Sequence, residues 1–203
     1  MTATLGEHGS LRERKKARTR ELIQAQALRL FSTQGYEETT AEQIAAAAEI
    51  SPSTLFRYFA TKADILRMDL LDPIVFDAYA RQPAELTPVS ALRGATMAVL
   101  GSVPGEMLDV QLQRVRLVAL VPELRALILD DSPAVRAQFV EAEVKRTGRS
   151  PDPFAMDVLI AAITGAILVA AERGVADGSV DRMADFLGTL DRAFELLEEG
   201  LPV

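Results

Sequence analysis

The chain has no cysteine and no tryptophan, and its only histidine is His8. Without cysteine there is no disulfide framework and no thiolate metal site. One histidine in a polar N-terminal segment cannot assemble a histidine dyad or a zinc centre, so neither metal ligands nor catalytic residues are expected. Aromatic residues make up 5% of the chain and apolar residues 49%, with Ala and Leu abundant and few runs of Val, Ile or Thr. That balance predicts an all-α fold. The longest apolar run, 158–171 (VLIAAITGAILVAA), lies between Asp157 and Glu172. It falls short of the roughly 20 residues that a membrane span requires and reads as a buried helix. No apolar segment of the signal-peptide kind opens the sequence. The expectation is a cytoplasmic protein with no membrane contact and no cofactor.

Negative charge is in excess, at −7 overall, but it is unevenly spread. Residues 1–66 carry nine Lys/Arg against eight Asp/Glu, and residues 67–203 carry thirteen against twenty-one. Within the first part, 11–20 (LRERKKARTR) holds six basic residues and one acidic. Residues 1–10 read as disordered, and 1–18 as a basic arm. Such a run is either a solvated tail or an arm that reaches a phosphate backbone or minor groove through residues such as Arg18 and Arg20.

The stretch from Thr40 to Leu66 (TAEQIAAAAEISPSTLFRYFATKADIL) is the most informative. Thr40 stands three residues before Gln43, the spacing of a capping box. Ile44, Ala45 and Ala48 recur at helical spacing. Ser51-Pro52 opens a second short helix, with Ser as N-cap and Pro at the first helical position. Leu55 and Phe59 share one face of that helix, while Ser53, Thr54, Arg57 and Tyr58 fall towards the other. Two short helices joined by a tight turn, the second presenting hydroxyls and an arginine outward, read as a helix-turn-helix whose second helix enters the DNA major groove.

A preceding helix over 19–34 supplies a floor, with the stripe Ile23, Ala27, Leu30 and Phe31 ending at Gly35, which suits a left-handed C-terminal position. Tyr36 packs behind that turn. Thr61 caps a fourth helix and brings Lys62 to its positive end, a natural phosphate site, although an ordinary exposed lysine reads the same way. Pro73 breaks that helix near Leu71-Asp72. The rest is a helical body, 67–203, with segments near 90–103, 106–121, 123–130, 133–147, 153–176 and 181–199, punctuated by Pro and Gly. The segment at 153–176 is apolar almost all round, and the last carries Met183, Phe186, Leu187, Leu190, Phe194 and Leu197. Both read as core helices of a single chain or as halves of a four-helix interface with a second copy. For the latter, Ile160, Ile163, Ile167, Met183, Phe186, Leu187, Leu190 and Phe194 are the candidate contacts.

Phe31, Gly35, Tyr36, Thr39, Thr40, Ile44, Ala45, Ala47, Ala48, Ser51, Ser53 to Phe59, Lys62, Asp64, Ile65 and Leu66 together resemble the TetR/AcrR family of bacterial transcriptional regulators over residues 18–66. The resemblance implies an all-helical homodimer with a three-helix helix-turn-helix head (19–66) and an antiparallel helical body (67–203) that binds a small molecule and dimerises. It implies that Thr40, Pro52, Ser53, Thr54, Tyr58 and Lys62 face bases or phosphates. Arg57 would meet guanine or a phosphate, and Phe56 stands where many members have a tyrosine. The turn residue is commonly glycine in that family; here it is Glu49, which predicts a non-glycine residue at positive φ, a cost of about 1 kcal/mol.

For the body, Tyr79, Met97, Met107, Gln111, Arg114 and Val118 are candidate pocket residues, with core packing or a solvated charge as the alternative for each. Few polar groups in these helices favour an apolar or amphipathic ligand. The expected function is a DNA-binding regulator, a repressor released from a palindromic operator by such a ligand. The alternatives are a dimeric regulator without an effector, or an activator. An enzyme or carrier would need titratable groups in the body in a constellation that the sequence does not offer.

Overall fold

The structure, a computed structural model, describes residues 11–67, 72–129, 133–178 and 182–202. The 1–10 tail and its His8 lie outside them. Among the described residues all regular structure is helical, and the chain divides into two compact units, Met1–Leu66 and Arg67–Val203.

The first unit holds α1 (Leu11–Gln34), α2 (Ala41–Ala47) and α3 (Pro52–Tyr58), and α4 (Asp64–Arg67) begins at its end. Residues 11–18 are not disordered but form the first part of α1. The reason is local: Leu, Arg, Lys, Glu and Ala are strong helix formers and no breaker separates them from residue 19. Ile23, Ala27 and Phe31 bury their side chains as expected, but Leu28 joins them and Leu30 is only half-buried. Gly35 closes α1 at φ 96°. Ile44 and Ala45 of α2, Leu55 of α3, and Phe59 and Ile65 complete a small core. Gln24 on α1 donates its side-chain amide to the Ile65 carbonyl at 2.9 Å, which ties α1 to α4.

The second unit holds α5 (Asp72–Ala80), α6 (Pro88–Leu100), α7 (Gly105–Leu120), α8 (Pro122–Leu129), α9 (Pro133–Thr147), α10 (Pro153–Asp177) and α11 (Met183–Glu198). Pro73 sits in the first turn of α5, where its missing N–H is harmless. Side-chain caps set two of the boundaries: Thr87 accepts from the Ser90 N–H at 3.1 Å, and Asp152 from the Ala155 N–H at 2.7 Å. α10 is 25 residues long and, by length and composition, apolar enough to cross a membrane. It packs instead against α7, α8, α9 and α11. α5 packs on α6 and α9, and α6 on α11. Arg93 of α6 fixes the last contact with two bonds to Asp191 (2.7 and 2.8 Å) and one to Glu198 (2.9 Å), holding the Asp191 carboxyl below its usual pKa.

A buried polar trio adjoins the aliphatic core, to which Tyr79 itself belongs. Tyr79 of α5 stacks on Phe139 of α9 at 5.0 Å and gives its hydroxyl proton to Glu143. Glu143 accepts two bonds from Arg146, at 2.9 and 3.0 Å. Arg146 lies over the Tyr79 ring at 5.2 Å and reaches the Pro83 and Leu86 carbonyls at 2.8 and 3.0 Å. The trio thus pins α5, α9 and the 81–87 loop together. Burial, and then the Glu143 bond, push the Tyr79 phenol well above its ordinary pKa.

Candidate nucleic-acid interface and body cavity

The turn between α2 and α3 is built from short-range bonds. Thr40 Oγ1 accepts from the Gln43 N–H at 3.2 Å and Gln43 Oε1 from the Thr40 N–H at 2.9 Å, the reciprocal capping box. At the other end of α2 the Ile50 N–H reaches back to the Ala45 carbonyl (2.9 Å) and the Glu49 N–H to Ala46 (3.1 Å). That pair of bonds is the Schellman closure, which requires a left-handed residue between them. Glu49 is that residue, at φ 55°. Ser51 then caps α3 by accepting from the Thr54 N–H at 3.1 Å. Its hydroxyl also meets those of Ser53 and Thr54, each at 2.9 Å.

With Leu55 and Phe59 fixed inward, the rest of α3 follows from 100° per residue. Pro52, Ser53, Phe56 and Arg57 are exposed, Phe56 by 48%, while Thr54 and Tyr58 are half-buried. Arg57 lies 5.8 Å from the Tyr58 ring centre. Arg18 is exposed and Arg20 half-buried, both on the helical part of the basic run.

Two expected phosphate contacts are modified by these bonds. The Thr40 N–H is taken by Gln43, which leaves the hydroxyl proton as its outward donor. Around Thr61 the cap is reciprocal: Thr61 Oγ1 accepts from the Asp64 N–H at 3.1 Å, and the Asp64 carboxylate accepts from the Thr61 N–H (2.9 Å) and hydroxyl (2.8 Å). The Thr61 N–H is therefore engaged. Lys62 turns back onto the head, donating to the Tyr36 carbonyl at 2.7 Å and lying 4.0 Å from the Tyr36 ring centre.

The body holds a partly open cavity of about 230 Å³ between α5, α6, α7, α9, α10 and α11. Val75, Phe76, Leu92, Leu100, Val115, Val135, Phe139, Ile160, Ile163, Ile167, Met183, Phe186, Leu190 and Phe194 line it, with Thr96 and Gln111 as the polar residues among the described ones. Of the six expected pocket residues, Gln111 alone is in this lining. Tyr79 is buried in the polar trio, Val118 is buried elsewhere, Met97 and Met107 pack against the core, and Arg114 is half-buried on α7.

Seven of the eight residues expected at an interface face the cavity or core of their own chain: Ile160, Ile163, Ile167, Met183, Phe186, Leu190 and Phe194. Leu187 packs against the same core. These side chains contribute to the interior of their own protomer, although Ile167 also reaches the surface at 37% exposure. The outward face of α10 is different: Phe154 is 76% exposed, Val158 53% and Val169 55%, with Ala161 exposed and Gly165 half-exposed on the same stripe. The sequence signal for the cavity was a threonine at core register on α6, between the buried positions Leu92, Ala95, Val99 and Leu100. Among the described residues no group of three or more His, Asp or Glu is placed to hold a metal ion.

A capped helix-turn-helix followed by a helical body is the arrangement of a DNA-binding transcriptional regulator. The family described as "Bacterial regulatory proteins, tetR family" matches residues 23–67, and the family described as "MftR C-terminal domain" matches 86–202. This chain belongs to the TetR family, with a body of the MftR C-terminal type. It is 39% identical over 145 residues to the HTH-type transcriptional regulator TcmR of Streptomyces glaucescens, covering 68% of this chain and 64% of TcmR. The chain thus spans slightly less than two thirds of that relative. It is 28% identical to MftR of Mycobacterium tuberculosis, named for mycofactocin biosynthesis, over 96% of both chains. Among solved structures, Thermus thermophilus FadR, a TetR-family repressor in complex with lauroyl-CoA, is similar at a TM-score of 0.54. That similarity has 25% identity and covers 91% of this chain and 95% of FadR.

Proposed function

We propose that this protein is a dimeric transcriptional repressor that binds a palindromic operator and releases it when a small, largely apolar molecule fills the body. The observation that carries the reading is α3 itself: Leu55 and Phe59 anchor it while Ser53, Phe56 and Arg57 stand outward on its solvent face. On that geometry Arg57 reads a base edge, Phe56 meets a thymine methyl, and the Ser53, Thr54 and Thr40 hydroxyls approach phosphates. Tyr58, Lys62, Arg18 and Arg20 add phosphate contacts. The apolar stripe of α10 is the surface offered to a second copy, and two heads about one DNA turn (~34 Å) apart would read an inverted repeat. The cavity, and the lauroyl-CoA complex of the similar FadR, support an effector site in the body.

The test is selection of binding sites from random duplexes, followed by titration at several salt concentrations. The expected product is an inverted repeat whose affinity falls steeply with salt. Arg57→Ala should cost about 1–3 kcal/mol at one base pair, while Lys62→Ala should weaken all sites about equally. Recovery of no common site, or binding indifferent to salt, would sink the reading.

A further inference from the structure

We infer that the occupant of the body cavity is a compact, uncharged molecule of one to two rings that carries a hydrogen-bonding oxygen, and that the cavity discriminates against carboxylates and acyl-CoA thioesters. The inference rests on the effector reading above and narrows it.

Size comes first. A dry apolar cavity of ~150 Å³ accommodates benzene, and drug-sized ligands occupy ~300–1,000 Å³. A cavity of about 230 Å³ lies between them. Charge comes second. No described lining residue is ionisable. Three arginines of the body are committed elsewhere: Arg93 to Asp191 and Glu198, Arg125 to Glu172 and the Ala119 carbonyl, Arg146 to Glu143 and two loop carbonyls. A carboxylate entering here would lose its hydration and meet no counter-charge.

The oxygen is argued from Thr96. Threonine in a helix commonly gives its hydroxyl to the carbonyl four residues back. Thr19, Thr33, Thr147 and Thr189 do so here, and Thr164 of α10, like Thr96, does not among the described residues. Thr96, on the cavity wall of α6, makes no such bond among the described residues. Its hydroxyl is left for whatever fills the cavity. Gln111 faces the same space from α7, and its amide has enough donor and acceptor positions to hold a protein partner and a ligand together.

The test uses the full chain, with thermal shift and calorimetry on four probes: naphthalene, 2-naphthol, 2-naphthoate and lauroyl-CoA. The expected order places 2-naphthol about threefold to tenfold tighter than naphthalene, one hydrogen bond's worth. It also places 2-naphthoate at least tenfold weaker than 2-naphthol. Thr96→Val with Gln111→Leu should bring 2-naphthol to the level of naphthalene and leave naphthalene unchanged. Thr96→Ser, which keeps the hydroxyl, should preserve the advantage and serves if the double variant does not fold. Tighter binding of 2-naphthoate or lauroyl-CoA than of 2-naphthol overturns the inference, as does binding of none of the four. Site selection on the same preparation separates the two levels: retained DNA binding leaves the regulator reading standing while the ligand inference falls.

Discussion

The head closes its helices with named side chains, whereas the body holds its long helices mainly through aliphatic contact. α2 and α3 are seven residues each, too short to persist alone. Thr40, Gln43, Ser51 and Pro52 supply what length does not. α10 has 25 residues and needs few such devices; its position is decided by what covers Met156, Ile160 and Ile163 from other helices. The difference teaches where structural information resides. In the head it lies within a few residues along the chain, and in the body it lies between residues a hundred apart.

The largest test of that contrast is Arg146→Met. It leaves Glu143 buried without its cation, beside the Tyr79 hydroxyl. Loss of one partner of a buried pair should cost about 3–5 kcal/mol, read as a fall in the denaturant midpoint of the body. A change below about 1 kcal/mol would mean that aliphatic packing alone sets the α5–α9 contact. Thr40→Ala removes half of the capping box and should cost the head about 1 kcal/mol, measured by hydrogen exchange of α2 amides. No change in α2 protection would refute the view that caps carry this short helix. Glu49→Gly should work in the opposite direction, raising the melting temperature through relief of about 1 kcal/mol of left-handed strain. A lower melting temperature would show that the Glu49 side chain contributes more than its backbone costs.

The smallest effect is confined to alkaline pH. The folded Tyr79 phenol titrates above its unfolded value of about 10 because of burial and the Glu143 bond. The folded state therefore binds a proton that the unfolded state has released, and stability falls as pH rises past about 10. Tyr79→Phe should flatten that decline in melts taken across the alkaline range. An unchanged slope would assign the decline to other groups.

The same contrast explains how much the sequence disclosed. The capping box, the Ser51-Pro52 start and the inward Leu55 and Phe59 could all be read off spacing, because each depends on neighbours within four residues, whereas the left-handed Glu49 followed from the family resemblance. The helical character of 11–18 is also local, although its dense positive charge points to an arm in spite of that helix propensity. In the body, proline marked the starts of α6, α8, α9 and α10, so helix boundaries were accessible. Which face of α10 turned inward was not. A helix apolar all round carries no amphipathic signal, and Ile160 and Ile163 could be assigned to an interface as readily as to a cavity. Glu143 and Arg146 were equally opaque, since their meeting with Tyr79 joins positions 64 residues apart.

Lys62 carries a consequence of a different kind. A lysine free at the surface holds about 2 kcal/mol of rotamer entropy, which it surrenders on gripping a phosphate. Here the Tyr36 carbonyl and ring already restrain the ammonium, so much of that disorder is given up when the chain folds. An ammonium has three donors, and a phosphate arriving at Lys62 would meet a cation whose direction is already set. Arginine at this position would keep the charge but not the compact head that fits over Tyr36, so Lys62→Arg should slow the capture of DNA while leaving the charge of the head unchanged.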